Sequence, residues 1–356
     1  MAKLSRADTE EPGIARRRCG RGFVYLDEAT GQKITDPDTL QRVRDLVIPP
    51  AWNDVWICPD PRGHIQVLGT DEAGRRQYTY HEQWRTERDE AKFDKMLRFA
   101  RALPWLRTAC DELLADPTDL HRGTVLACAA RLLDHGFFRI GSECYAEQND
   151  SYGLATMRKE HASVAGDTVV FDYVAKSGKR RVQSIVNPAV AEVVRRLRRR
   201  RNGGDELLAY REDGAWRDVT SADISAWIKL VLGEEFSAKD FRTWNATVLA
   251  AVALAVSDPA AATSPTTSKR AVARAVQEVA HYLGNTPAVC RSSYIDPRVI
   301  TSFAQGWTIA GVLGELGGEA AWGRPVIQGA VEQAVLDLLE GDTGSDALAE
   351  AGSLTA

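Results

Sequence analysis

The spacing of apolar residues changes once along the chain, near Thr86, and that change limits what the chain can fold into. Before it, short runs alternate apolar and polar side chains between turn-forming residues: "FVYLDEATGQKI", "VWICPDPRGHIQVLG" and "RRQYTYH". A period of two turns one face of a strand inward, so residues 20–85 predict a β-rich module. After the change, "ERDEAKFDKMLRFARAL" and "TVLACAARLLDHGF" place apolar residues three and four apart, the period of a helix with one buried face. Alternation returns once, where "TVVFDYV" and "RRVQSIV" flank "AKSGK" and predict a β-hairpin. The expected fold class is α+β. A flexible N-terminus (1–19) precedes a small β-rich domain (20–85). A mainly α-helical domain with a short β-hairpin insert (86–305) follows, then an acidic C-terminal helix and tail (306–356).

Local signals set several helix ends. Thr220 or Ser221 is a good N-cap for "DISAWIKLVLG", and "AKDFRTWNATVLAAVALAV" is apolar enough to cross a core. After the break "DPAAATSPTTSKR", the helix of "AVARAVQEVAHYLG" ends at Gly284-Asn285. Thr286 as N-cap and Pro287 at the first helical position then start another. Tyr294 is expected about two turns into that helix, with Arg291 one turn earlier on the same face.

Composition excludes some classes. No stretch approaches the roughly 20 apolar residues of a membrane span, and the charged segment from Lys3 to Arg18 lacks the apolar centre of a signal peptide, so a cytoplasmic protein is expected. The six cysteines form no CxxC pair and no zinc-type spacing with histidine, which predicts reduced thiols and no metal site. The net charge of −4 hides an asymmetry. Residues 176–201 hold ten basic side chains against Glu192 alone, and without residues 306–356 the net charge becomes +3. The arginine run reads either as a solvated helix end or as a phosphate contact.

Four segments hold the candidate chemistry. "GFFRIGSECY" sets Arg139 between a helix and a glycine, and "DYVAKSGKRRV" sets Lys176 at a hairpin tip with Lys179 three residues on. "KDFRTWNAT" sets Arg242 at a helix start, and "LGNTPAVCRSSYI" supplies Asn285 and Tyr294. A tyrosine ionises near pH 10, about 10 being its ordinary pKa, so a nucleophilic phenolate at neutral pH needs cations beside it. Taken alone, Tyr294 also reads as half-buried packing.

In this order and with this spacing, the four segments resemble the poxvirus-type and bacterial branch of the type IB DNA topoisomerases, and the likeness covers residues 20–305. The resemblance implies an enzyme that relaxes supercoils of either sign through a 3'-phosphotyrosyl intermediate, requiring neither a cofactor such as ATP nor a metal. Tyr294 would be the nucleophile, Arg139 and Arg242 would clamp the nonbridging phosphate oxygens, and Lys176 would protonate the leaving 5'-oxygen. Asn285 stands where many members carry histidine; an amide cannot exchange protons, so hydrogen-bond donation is expected there. His281, one turn upstream, is a candidate substitute for that imidazole. Tyr145 and Tyr152 resemble positions beside the active site, and Lys179 and Arg291 are further candidate DNA contacts. Tyr78 and Tyr80 share one strand face, which reads either as a DNA-groove contact or as a buried aromatic face. The implied partner is duplex DNA, clamped by a monomer acting at the nucleoid. The acidic tail is expected to be a peripheral helix with a disordered end, a candidate protein-partner site or a screen against nonspecific DNA.

Two other classes share part of this pattern. A tyrosine recombinase uses the same Arg, Lys, Arg and Tyr set, but with a helical arm-binding domain and an "HxLRH" box where this chain has a β-rich module and "KDFRTWNA". A noncatalytic DNA-binding protein has no need of all four.

Overall fold

Alternation in the N-terminal third folds as a five-stranded antiparallel sheet. In the computed structural model, which describes residues 3–143, 146, 149–257, 264–313 and 328–350, the chain divides into two compact units, Met1–Phe93 and Asp94–Ala356.

In the first unit, β1 (Ile14–Cys19) and β2 (Gly22–Asp27) form a hairpin whose turn uses Gly20 at φ 57°. With β3 (Asn53–Ile57), β4 (Ile65–Thr70) and β5 (Arg76–Tyr80) the order is β2-β1-β3-β4-β5. Helix α1 (Pro37–Asp45), capped by Asp36 with Pro37 at its start, buries Val43 against Ile14, Val55, Ile57 and Val67. The segment from Ser5 onward is tied down. Ser5 bridges to Gly63, the Ala7 N–H donates to His64 Nδ1 at 3.0 Å, and β1 already occupies residues expected to be flexible.

Helix α2 (Glu82–Leu113) begins four residues before the change of period suggested, and the division between the units falls inside it. In the second unit, α3 (Arg122–His135) leads to a three-stranded sheet of β6 (Ala162–Ala165), β7 (Thr168–Ala175) and β8 (Lys179–Val186). The β7–β8 hairpin pairs in full register from Thr168↔Val186 to Ala175↔Lys179, as the alternation required. Helix α4 (Pro188–Arg199) ends in the arginine run. A second hairpin, β9 (Ala209–Glu212) and β10 (Ala215–Asp218), was not expected, and it precedes α5 (Ser221–Leu232), capped by Thr220.

Helices α6 (Ala238–Ala255), α7 (Pro265–Leu283), α8 (Pro287–Ser293) and α9 (Pro297–Ala304) complete the frame of the site. Trp244 and Phe241 of α6 are fully buried with Phe99, Phe138 and Phe171 in one continuous core.

The C-terminal segment departs from expectation. Strand β11 (Trp307–Thr308) leads to α10 (Ala310–Leu313), α11 (Ala330–Glu340) and β12 (Ala349–Glu350), and β12 returns to pair with β11. Helix α11 is not peripheral, because Val331, Ala334 and Val335 have no exposure and join the main core. Its acid Glu332 points inward, accepting from Arg107 at 2.6 and 2.9 Å and from Trp244 Nε1 at 2.9 Å. Sequence reading saw the helix but counted its acids as solvent charge.

Candidate active site

The last turn of α7 explains how several cations can be gathered in one place. Gly284 adopts φ 66°, and the Asn285 N–H turns back to Ala280 O at 3.1 Å, so the helix stops in a left-handed cap. The oxygens at that end carry the negative pole of the helix. Each of five successive residues offers one to an arginine. Arg181 donates to His281 O at 2.7 Å and to Tyr282 O. Arg242 donates to Leu283 O at 3.0 Å, and Arg139 to Gly284 O at 3.4 Å and Asn285 Oδ1 at 2.5 Å. Arg242 also donates to Phe137 O.

Among the described residues, none of these three guanidiniums is paired with a carboxylate. Burial, reinforced by the charge of Arg139, pulls the pKa of Arg242 down to about 10, which leaves it a cation at neutral pH. Burial and Arg139 lower that of Arg181 as well, with Tyr173 acting against them. Holding like charges together in a partly dry place costs free energy, and neutral carbonyls offset only part of it. Two donors are also left over: Arg242 Nε and Asn285 Nδ2 are buried without an acceptor among the described residues. The cluster thus lacks both negative charge and hydrogen-bond acceptors, and a tetrahedral anion supplies both.

Tyr294 stands beside it. Thr286 caps α8 and Pro287 opens it, as the sequence indicated, but the helix ends at Ser293 and Tyr294 is its C-cap. Its backbone is held by α6, where Thr247 Oγ1 donates to Tyr294 O at 3.3 Å and accepts from the Asp296 N–H at 3.1 Å. The cations at its ring are Arg242 Cζ, 5.3 Å from the centroid, and Lys239 Nζ at 6.0 Å. Arg291 is exposed, and the shared face expected for it does not form because α8 stops short of the tyrosine. Burial pushes the phenol's pKa up, but Arg242 first, then Lys239 and Asn285, bring it below the ordinary tyrosine value.

The structure thus brings Arg139, Arg242, Asn285 and Tyr294 together. Lys176 and Lys179 stand exposed on the β7–β8 hairpin, where Ser177 and Gly178 both take positive φ. Tyr78 and Tyr80 are 45% and 39% exposed on edge strand β5, their rings stacked at 6.1 Å, so the buried aromatic face is not what forms. Tyr152 donates to Asp150 at 2.5 Å beneath Arg158 and lines a cavity with Glu143, Glu206 and Asp218. Tyr145 lies outside the described residues. His281 is exposed, and its part in the cluster is its carbonyl. In the arginine run, Arg195 and Arg196 pair with Glu192, and Arg200 is buried against the carbonyls of Leu207 and Glu206, a largely structural use.

Sequence reading missed Arg181 and Lys239. Lys239 lies three residues before Arg242, a spacing that puts both on one helix face and could have been noticed. Among the described residues, no group of three or more histidine, cysteine or acidic side chains is placed to hold a metal, and no helix is long and apolar enough to cross a membrane.

Comparison with known proteins agrees with the geometry. Residues 81–305, which contain the whole cluster, match the family described as "Eukaryotic DNA topoisomerase I, catalytic core". Residues 22–71 match "Bacterial DNA topoisomerase IB, N-terminal domain". A DNA topoisomerase 1B of Acanthamoeba polyphaga mimivirus is 32% identical over 290 residues, spanning 80% of this chain and 85% of that protein. Matched in both of its parts, the chain belongs to the type IB DNA topoisomerases, in their bacterial and viral form.

Proposed function

We propose that this enzyme relaxes positive and negative supercoils of duplex DNA by cutting and rejoining one strand through a 3'-phosphotyrosyl intermediate, with no need of ATP or metal. The observation that carries the reading is the set of three guanidiniums gathered on carbonyls, with two donors left over, beside a tyrosine whose pKa is lowered. Tyr294 loses its phenolic proton to water and attacks the scissile phosphorus. The Tyr294 O–P bond forms as the P–O5' bond breaks, and Lys176 gives its proton to the departing O5'. Charge moving onto the nonbridging oxygens meets the forks of Arg139 and Arg242 and the Asn285 amide, whose oxygen is occupied by Arg139 and whose N–H is free to donate. Reversal by the 5'-hydroxyl reseals the strand, and the phosphodiester's bond energy is kept throughout.

The remaining contacts serve binding. Tyr78 and Tyr80 present exposed rings to the duplex, Lys179, Arg291 and Tyr152 contact its backbone, and the family resemblance adds Tyr145 to that set. A single copy acts on DNA in the cytoplasm, and affinity falls steeply with salt because most contacts go to phosphates.

The test is relaxation of supercoiled plasmid in excess EDTA without ATP, comparing the unaltered enzyme with Tyr294→Phe and trapping adducts with detergent. The unaltered enzyme relaxes both signs and leaves a covalent complex; Tyr294→Phe does neither. Loss of relaxation with DNA binding intact in the unaltered protein would overturn the reading.

A further inference from the structure

One guanidinium held by the end of α7 has no part in the reaction proposed above. Arg181 sits on β8, opposite Tyr173 of β7, and β7 ends at the residue before Lys176. Its side chain reaches out of the hairpin to His281 O and Tyr282 O, so its donors face the turn that carries Asn285 and leads to Tyr294. Gly284 closes against it; a Cβ there would lie 3.4 Å from Arg181 Cδ and Nη1. Two residues along the same strand face, Gln183 Oε1 accepts from the Phe137 N–H at 3.2 Å, and its Nε2 donates to Tyr173 Oη at 3.0 Å. The inner face of the hairpin is thereby fastened at two points: by Gln183 to the loop that carries Arg139, and by Arg181 to the end of α7.

We propose that Arg181 is a positioning residue for the leaving-group acid: by fastening β8 to the last turn of α7, it fixes where the hairpin presents Lys176 relative to Asn285 and Tyr294. This rests on the assignment of Lys176 as that acid. All three arginines donate to oxygens at this end of α7, and what sets Arg181 apart is its place on β8, the strand that returns from the Lys176 turn.

Changing the leaving group tests this. A duplex whose scissile phosphate carries sulfur in place of the bridging 5'-oxygen releases a thiolate when its P–S bond breaks. A thiol's pKa of about 8.5 lies far below that of an alcohol, so no acid is needed. Single-turnover cleavage of the oxygen and sulfur duplexes is compared for the unaltered enzyme, Lys176→Ala, Arg181→Ala and Arg181→Lys. A misplaced acid forfeits much of what general acid catalysis contributes, so Arg181→Ala is expected to cut the oxygen duplex about 10- to 100-fold more slowly. On the sulfur duplex it returns to within a few-fold of the unaltered enzyme, as does Lys176→Ala. Arg181→Lys, which keeps one charged donor, shows a smaller loss with the same rescue and carries the comparison if the alanine variant does not fold.

An equal loss on both duplexes, with Lys176→Ala still rescued, would overturn the proposal and leave Arg181 a merely structural residue. Full speed on the oxygen duplex would overturn it too. If Lys176→Ala itself is not rescued by sulfur, the acid assignment fails first, and the proposal falls with it.

Discussion

Burial alone would make Tyr294 a poorer nucleophile, since it favours the neutral phenol; Arg242, Lys239 and Asn285 reverse the sign. A phenol with a lowered pKa carries more phenolate at any pH below that value, so single-turnover cleavage should climb with pH to a midpoint below the ordinary tyrosine value of about 10. Arg242→Gln removes the principal cation and leaves the burial. The ascending limb should then move to higher pH, and cleavage near neutrality should drop about 100- to 1,000-fold through the lost charge stabilisation. An unmoved midpoint would remove Arg242 from the activation of Tyr294. At this scale the sequence singled out Arg139, Arg242, Asn285 and Tyr294, each from its own segment, and the fold gathers these four. Arg181 was not legible, because it is one of three adjacent cations in "KRR" and only strand register shows which of them faces α7.

Elements place these residues through close approaches of backbone. Arg139 O accepts from the Leu154 N–H at 2.8 Å and Ile140 O from the Ala155 N–H at 2.7 Å, so the loop after α3 is stitched to a second loop, where Gly141 and Gly153 meet. A Cβ on Gly153 would lie 2.4 Å from Gly141 Cα and 2.8 Å from Arg139 O, contacts with backbone that no rotamer relieves. Gly153→Ala should therefore destabilise the fold by about 1–3 kcal/mol and shift Arg139, lowering the cleavage rate more than DNA affinity. Thermal unfolding together with single-turnover kinetics checks both parts; wild-type cleavage would show that the loop absorbs the methyl elsewhere. The same scale shows what pattern reading overlooks. The β9–β10 hairpin carries an Asp213-Gly214 turn with φ of 50° and 79°, a strong two-residue hairpin signal, but strands of four residues are too short for alternation to register. The β7–β8 hairpin, with eight residues in each strand, was plain.

At the scale of the whole chain, the second unit is completed by its last helix. Arg107 forks between Asp134 of α3 and Glu332 of α11, and Glu332 also accepts from Trp244, two residues after Arg242. Removing Glu332 leaves Arg107 with Asp134 alone and the buried Trp244 N–H without its acceptor, so Glu332→Ala should cost about 2–4 kcal/mol. For a unit of this size that is a fall of roughly 10 °C in Tm, readable by calorimetry; an unchanged Tm would mean that α11 is held by its apolar face alone. Composition could not reveal this, because an inward acid and a solvated one look alike in a net charge. The order of synthesis adds a consequence. Tyr294 and all three arginines leave the ribosome before Glu332 does, so a nascent chain possesses every group assigned to strand cutting before it possesses the acid that seats the helices behind them. The core behind these side chains is thus closed by a helix that lies later in the chain than any of them.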